Sequence, residues 1–189
     1  MEFFNYKLTD SDKEYCMTHA KKMTEGFPVY SFKNEVKSSL DTYYIGKVGE
    51  FAFFKFLNRL QRKGLLKIVH VPFRESYEKL NMNDDFIVEI DGRRIQFEVR
   101  TKGRNVEPQV DYECCTDCIK PHFTYVFVSF NKKTDNVTVL GFADWNNFKS
   151  HGEATLRGTE NNNFKNKVNE FNIKVMYLSD LNVLTPEKV

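Results

Sequence analysis

Residues 83–104 read NDDFIVEIDGRRIQFEVRTKGR, with Asp91-Gly92 near the middle. Asp-Gly between alternating apolar runs is the strongest short-range signal for a two-residue hairpin turn, because both central residues of that turn need positive φ. With these two as the loop, Ile90 pairs with Arg93 and Glu89 with Arg94, each pair of numbers summing to 183. Phe86, Val88 and Ile90 then share a face with Ile95, Phe97 and Val99 and predict a surface laid against a core. The opposite face carries Asp85, Ile87, Glu89, Arg94, Gln96, Glu98, Arg100 and Lys102. Glu89 across from Arg94 is an ordinary cross-strand ion pair. Asp85 across from Glu98 is not, since like charges facing each other in a ladder are destabilising. A cation between the two removes the conflict, and a small set of oxygen ligands with room for water suits Mg²⁺ or Mn²⁺ better than zinc. The alternative is a solvated hairpin face whose charges point into water. Asp84 is a substitute ligand of the wrong parity, facing the core edge or solvent.

Composition bounds the kind of protein to which this hairpin belongs. A chain of 189 residues with 41% hydrophobic and 15% aromatic residues fits one domain with a sizeable core. The net charge of +2 is too small to imply a polyanion partner by itself, but Arg93, Arg94, Arg100, Lys102 and Arg104 crowd the second strand of the hairpin. No apolar run reaches the roughly eighteen residues of a membrane span, and no charged-then-apolar leader precedes the first helix, so the expectation is a cytoplasmic protein with no membrane partner. Cys16, Cys114, Cys115 and Cys118 are expected to be reduced.

The pass along the chain gives a mixed α/β order. A polar helix is expected over about 11–26, opened by Ser11 or Asp12 and stopped by Gly26-Phe27-Pro28. A second is expected over 32–40 and a stronger one over 43–63, apolar around much of its circumference. Strands are expected at about 66–71, 84–91, 93–101, 123–130 and 136–142. Asp144 or Trp145 opens a short helix, 160–170 is loop or partly ordered, and 173–184 forms a closing strand or helix turn. The expected fold is an α/β or α+β sandwich of one domain with a mostly antiparallel sheet. Its parts are an N-terminal helical region of about 1–42, a core of about 43–145 and a tail of about 146–189.

Glu50 stands out in the third helix. Positions three, four and seven residues later are Phe53, Phe54 and Leu57, so its carboxylate shares a face with core residues and needs a partner. The other interpretation is a Glu at the rim of the helix, capping its first turn or bonded to a nearby Lys. Gly46 and Gly49 predict a close approach to another backbone.

Glu50 in GKVGEFAF, Asp85 in NDDFIV and Glu98-Val99-Arg100 in IQFEVRTK, in that order around a hairpin, resemble the PD-(D/E)XK nuclease superfamily. The later strands FTYVFVSF and NVTVLGF, with Asp144-Trp145 opening a helix, extend the resemblance over about 45–145. It implies a restriction-endonuclease-like core, a mixed central sheet flanked by helices, and metal-dependent hydrolysis of DNA. Glu50, Asp85, Glu98 and the carbonyl of Val99 would be metal ligands for Mg²⁺ or Mn²⁺, with Arg100 and Lys102 adding positive charge beside the phosphate. The chain departs from the pattern in lacking a Pro before Asp85 and in carrying Arg100 at the lysine position. Arginine keeps its proton at any working pH and cannot act as general base. Two function classes result: an endonuclease of restriction or mobile-element type, or a repair or junction-resolving one, against a nucleic-acid-binding relative without catalysis. A homodimer would suit cleavage of both strands.

Other residues point to contacts or to a different metal. Arg104, Arg157, Lys165 and Lys167, the last two close to asparagines 161–163, look like phosphate and groove contacts, or else a solvated face. Cys115-x-x-Cys118 is half of a zinc site that Cys16-x-x-His19 or His122 could complete as a structural tetrahedron; free buried cysteines are the other outcome. A zinc-bearing interaction domain with no nucleic-acid role is the third function class.

Overall fold

A computed structural model describes residues 3–26, 36–73, 86–106, 108, 113–116, 122–155, 160–161, 164–165 and 170–179. The elements in chain order are β1 (Phe4–Lys7), α1 (Asp10–Gly26), α2 (Val36–Arg62), β2 (Lys67–His70), β3 (Phe86–Ile90), β4 (Arg93–Arg104), β5 (Glu113–Thr116) and β6 (Thr124–Asn131). After them come β7 (Asn136–Ala143), α3 (Trp145–His151), β8 (Glu153–Thr155), β9 (Glu160–Asn161), β10 (Phe164–Lys165), β11 (Glu170–Lys174) and a 3₁₀ turn at Val175–Tyr177.

The hairpin forms as its sequence predicts. Asp91 and Gly92 have φ of 48° and 75°, and β3 pairs with β4 from Ile90–Arg93 to Phe86–Phe97. Phe86, Val88 and Phe97 are fully buried. The pair stands in a six-stranded sheet of order β1-β7-β6-β4-β3-β2. The sheet is mixed: β4 runs parallel to β6, and the other ladders are antiparallel.

Alternate residues of β6 go to two cores, which is why FTYVFVSF reads as a continuous apolar run. Val126, Val128 and Phe130 join Phe86, Val88 and Phe97 beneath α1 and α2, where the Phe53 ring meets Phe86 and Phe97 at 5.1 and 5.3 Å. Tyr125 and Phe127 face the other way, against Phe148 of α3 and beside Ile173 of β11. On that side β11 is the centre of a small sheet of order β5-β11-β8. The class is therefore mixed α/β, with helices on both faces of the central sheet.

Several elements differ from expectation. One helix, α2, runs unbroken through 36–40 of the second predicted helix into the third, with no Gly or Pro between Leu40 and Tyr43 to break it; positions 32–35 lie outside the described residues. The first helix is capped by Thr9, not by Ser11 or Asp12. Asp12 N–H donates to Thr9 Oγ1 (3.2 Å) and the Thr9 N–H donates back to the Asp12 carboxylate (2.9 Å), a reciprocal capping box. Tyr6 of β1 also donates to that carboxylate (2.8 Å), fastening the strand to the helix. Asp144 caps α3, as its sequence predicts, in a second capping box with Asn147. The short strands β1, β5 and β8 add to the expected set, and β9 and β10 pair within 160–170, where a loop or partly ordered stretch is expected. Among the described residues no helix is long and apolar enough to cross a membrane.

The two helix glycines are not equivalent. A Cβ on Gly49 would lie 1.8 Å from Thr101 Oγ1 of β4, whereas one on Gly46 would meet nothing within 4 Å. Gly49 packs closely on β4, but against the Thr101 side chain and not against the expected backbone, and Gly46 packs closely on nothing. We predict that Gly49→Ala lowers stability by about 1–3 kcal/mol through overpacking. Gly46→Ala should be neutral or stabilising by up to about 1 kcal/mol through helix propensity. Urea denaturation of both variants checks this; equal effects would contradict the packing of α2 on β4.

Candidate active site

Strand β4 presents Glu98, Arg100 and Lys102 on one face because residues two apart in a strand point the same way. In the parallel register with β6 they sit beside Tyr125, Phe127 and Ser129, on the side of the sheet away from α2. The Glu98 side chain is 16% exposed and that of Arg100 32%, and Arg100 Nη2 stands 2.5 Å from Glu98 Oε1. A carboxylate so nearly removed from water needs a compensating cation, and here the chain supplies its own. Lys102 and Arg104 continue the strand half-buried, and the Arg104 carbonyl accepts from Lys132 N–H at 2.9 Å. Val99, whose carbonyl is the expected backbone ligand, pairs in register with Val126. Asp85 and its substitute Asp84 lie outside the described residues. The register that motivates the pairing of Asp85 with Glu98 holds through Phe86–Phe97.

Glu50 is positioned by α2, in mid-helix, so first-turn capping does not explain it. Its carboxylate, on a side chain 12% exposed, lies 2.5 Å from Lys47 Nζ, whose side chain is 3% exposed. The Lys47 ammonium also donates to the Pro72 carbonyl at 3.5 Å and stands 5.6 Å from the Phe73 ring centre. Lys47, three residues earlier on the same helix face, is thus the partner that burial requires. The spacing is legible in the sequence as the nearby Lys of the second interpretation, but the burial of the ammonium is not.

Gly49 packs on Thr101, an odd position of β4, while Glu98 and Arg100 leave the strand at even positions. Each of the two acids faces a cation, Lys47 for Glu50 and Arg100 for Glu98. Among the described residues no group of three or more His, Cys, Asp or Glu side chains is arranged to hold a metal ion.

The zinc expectation separates into two layers. Cys16 is fully buried in the α1/α2 core, its Sγ donating to the Lys47 carbonyl at 3.6 Å. Burial pushes its thiol up to about 12, with Asp12 and Glu50 adding to the effect. A cysteine buried in this way packs as a small apolar side chain. His19 is also buried, with its ring 4.6 Å from Tyr15 and 5.4 Å from Phe73; burial pushes its pKa down, helped by Lys22 and Lys47. Cys115, in β5, is paired with Asn172 of β11, beyond the other face of the central sheet. Cys16 and His19 belong to the α1/α2 side, whereas the strand carrying Cys115 pairs with β11 in the small sheet; Cys118 lies outside the described residues. His122, the alternative ligand, is exposed with its ring 4.9 Å from Phe123. Of the expected groove contacts, Lys165 sits in β10 opposite Glu160 of β9, and Arg157 and Lys167 lie outside the described residues.

No family model, curated protein or solved structure matches this chain.

The buried Lys47–Glu50 pair generates a test that separates folding from chemistry. Lys47→Met leaves a carboxylate without its ammonium and should destabilise by about 3–5 kcal/mol, whereas Lys47→Met with Glu50→Leu should recover most of the loss. Thermal unfolding of the single and double variants gives the answer. An unaltered melting temperature in Lys47→Met would show that the pair is not desolvated.

Proposed function

We propose that the protein is a metal-dependent DNA endonuclease, acting in the cytoplasm in a restriction or mobile-element role. The observation that carries this reading is the β3–β4 hairpin: its register, and the placing of Glu98, Arg100 and Lys102 on one half-buried face. Together with the resemblance over about 45–145, it supports a restriction-endonuclease-like core. Asp85, Glu98 and the Val99 carbonyl would hold Mg²⁺ or Mn²⁺, which when bound supplies an activated water and neutralises charge at phosphorus. Arg100 would turn from Glu98 to the scissile phosphate, steadying the charge that grows on its oxygens, and Lys102 would add to that field. The water oxygen forms the new bond to phosphorus, the bond to the leaving sugar oxygen breaks, and that oxygen takes up a proton. Glu50, on α2, would contribute by orienting water or by holding a second ion. A homodimer would cut both strands.

A second reading is favoured by a specific observation. Glu98 faces Arg100 and Glu50 faces Lys47, so both acids have a cation at contact distance without any metal. A fold with its acids neutralised in this way suits a nucleic-acid-binding relative that has lost catalysis.

Cleavage of supercoiled plasmid with Mg²⁺ or Mn²⁺ distinguishes the two. Metal-dependent nicking that falls by about 100-fold or more in Asp85→Asn and in Glu98→Gln supports the endonuclease, with Arg100→Lys retaining more activity than Arg100→Ala. Absence of cleavage with DNA binding intact in all variants would sink it and leave the binding relative.

A further inference from the structure

Away from β4, the C-terminal half of α2 borders a cleft of about 450 Å³ lined by Phe54, Lys55, Asn58, Arg59, Arg62 and Lys63. No acidic side chain is among these described lining residues. Lys55 is engaged, 3.9 Å from Asp12 and 4.7 Å from the centre of the Phe51 ring, and it forms one wall. Arg59, Arg62 and Lys63 are exposed. We infer that this cleft is a nucleic-acid-binding groove that tracks the phosphate backbone of a strand.

Charge and shape both favour a strand of phosphates as the occupant. Arg59 and Arg62 lie in the last turns of α2 and Lys63 just past its end, so three exposed cations line one cleft with no acid among its described lining residues, as a polyanionic strand requires. A concave wall concentrates the field of its cations, which a solvated flat face does not. Asn58 supplies an amide for sugar or base edges, and Phe54 an apolar floor. Arg59, Arg62 and Lys63 also complement the C-terminal end of the helix dipole, so it is their shared lining of one cleft that points to an anion. The inference rests on the nucleic-acid part of the proposed function and is independent of cleavage.

Fluorescence anisotropy with a labelled single-stranded oligonucleotide, and with a duplex of the same sequence, in EDTA over a salt series tests it. The cleft variant Arg59→Gln/Arg62→Gln/Lys63→Gln is compared with Lys7→Gln/Lys21→Gln/Lys149→Gln, which removes the same number of exposed charges elsewhere. The cleft variant should lose at least about tenfold in affinity, and its slope of log K against log salt should fall by about two on the single strand; the control should change little. Lys63→Gln alone, outside the helix, should lower the slope by about 0.7 and guards against loss of fold in the triple variant. Equal effects of cleft and control variants would overturn the groove while leaving nucleic-acid binding elsewhere on the protein. Wild-type binding to polyglutamate as tight as to the oligonucleotides would overturn the choice of ligand. Absence of wild-type binding to either nucleic acid would overturn both the groove and the nucleic-acid reading.

Discussion

The structure depends on a constraint set at Asp91-Gly92. Once those two residues take positive φ, the register of β3 on β4 is determined, and in a sheet with period two a register decides which side chains are inside. A slip of one residue would turn Phe86, Val88 and Phe97 out of the core and bring charged side chains in. Burial of those three side chains beneath α2, with Phe53 against two of them, ties the hairpin to the helix layer. The same parity sends Glu98, Arg100 and Lys102 to the far side, so the apolar and polar halves of β4 are a single choice.

Desolvation then governs the charged groups. Glu50 and Glu98 are each largely withdrawn from water, and each is compensated by a cation of its own element, Lys47 on the helix and Arg100 on the strand. Compensation of this kind stabilises the fold less than it prevents a large penalty. It also means that a metal binding at Glu98 must compete with a guanidinium. For the proposed endonuclease, Arg100 is therefore both the rival of the metal at Glu98 and the group available to phosphate once displaced.

Much of the frame is legible in the sequence because local chemistry dictates it. Asp-Gly sets the hairpin, Asp144 the start of α3, and the doubly apolar FTYVFVSF a strand buried on both faces. Thr9-x-x-Asp12 is equally legible as a capping box, although the polar residues beside it compete as helix starts. The helix break expected near 41–42 has no Gly or Pro to cause it, and one continuous α2 forms. Strands such as β1 and β5 span only four residues each and pair with distant partners, so no local pattern reveals them. The site is legible residue by residue but not as an assembly. Sequence order places Glu50, Asp85 and Glu98 in series, whereas the side on which Glu98 leaves β4 depends on the hairpin register and the partner of Glu50 on the packing of α2. Likewise the cysteine spacings do not show that Cys16 belongs to the α1/α2 side and Cys115 to the small sheet.

Glu98 is proposed to belong to a divalent-metal site shared with Asp85, and Mn²⁺ binding tests this without requiring turnover. Titration followed by electron paramagnetic resonance on the wild type, Asp85→Asn and Glu98→Gln reads the site directly. Saturable Mn²⁺ binding is predicted for the wild type, lost in both variants while their folds persist. Binding left unchanged by both substitutions, or absent from the wild type, would contradict the shared site.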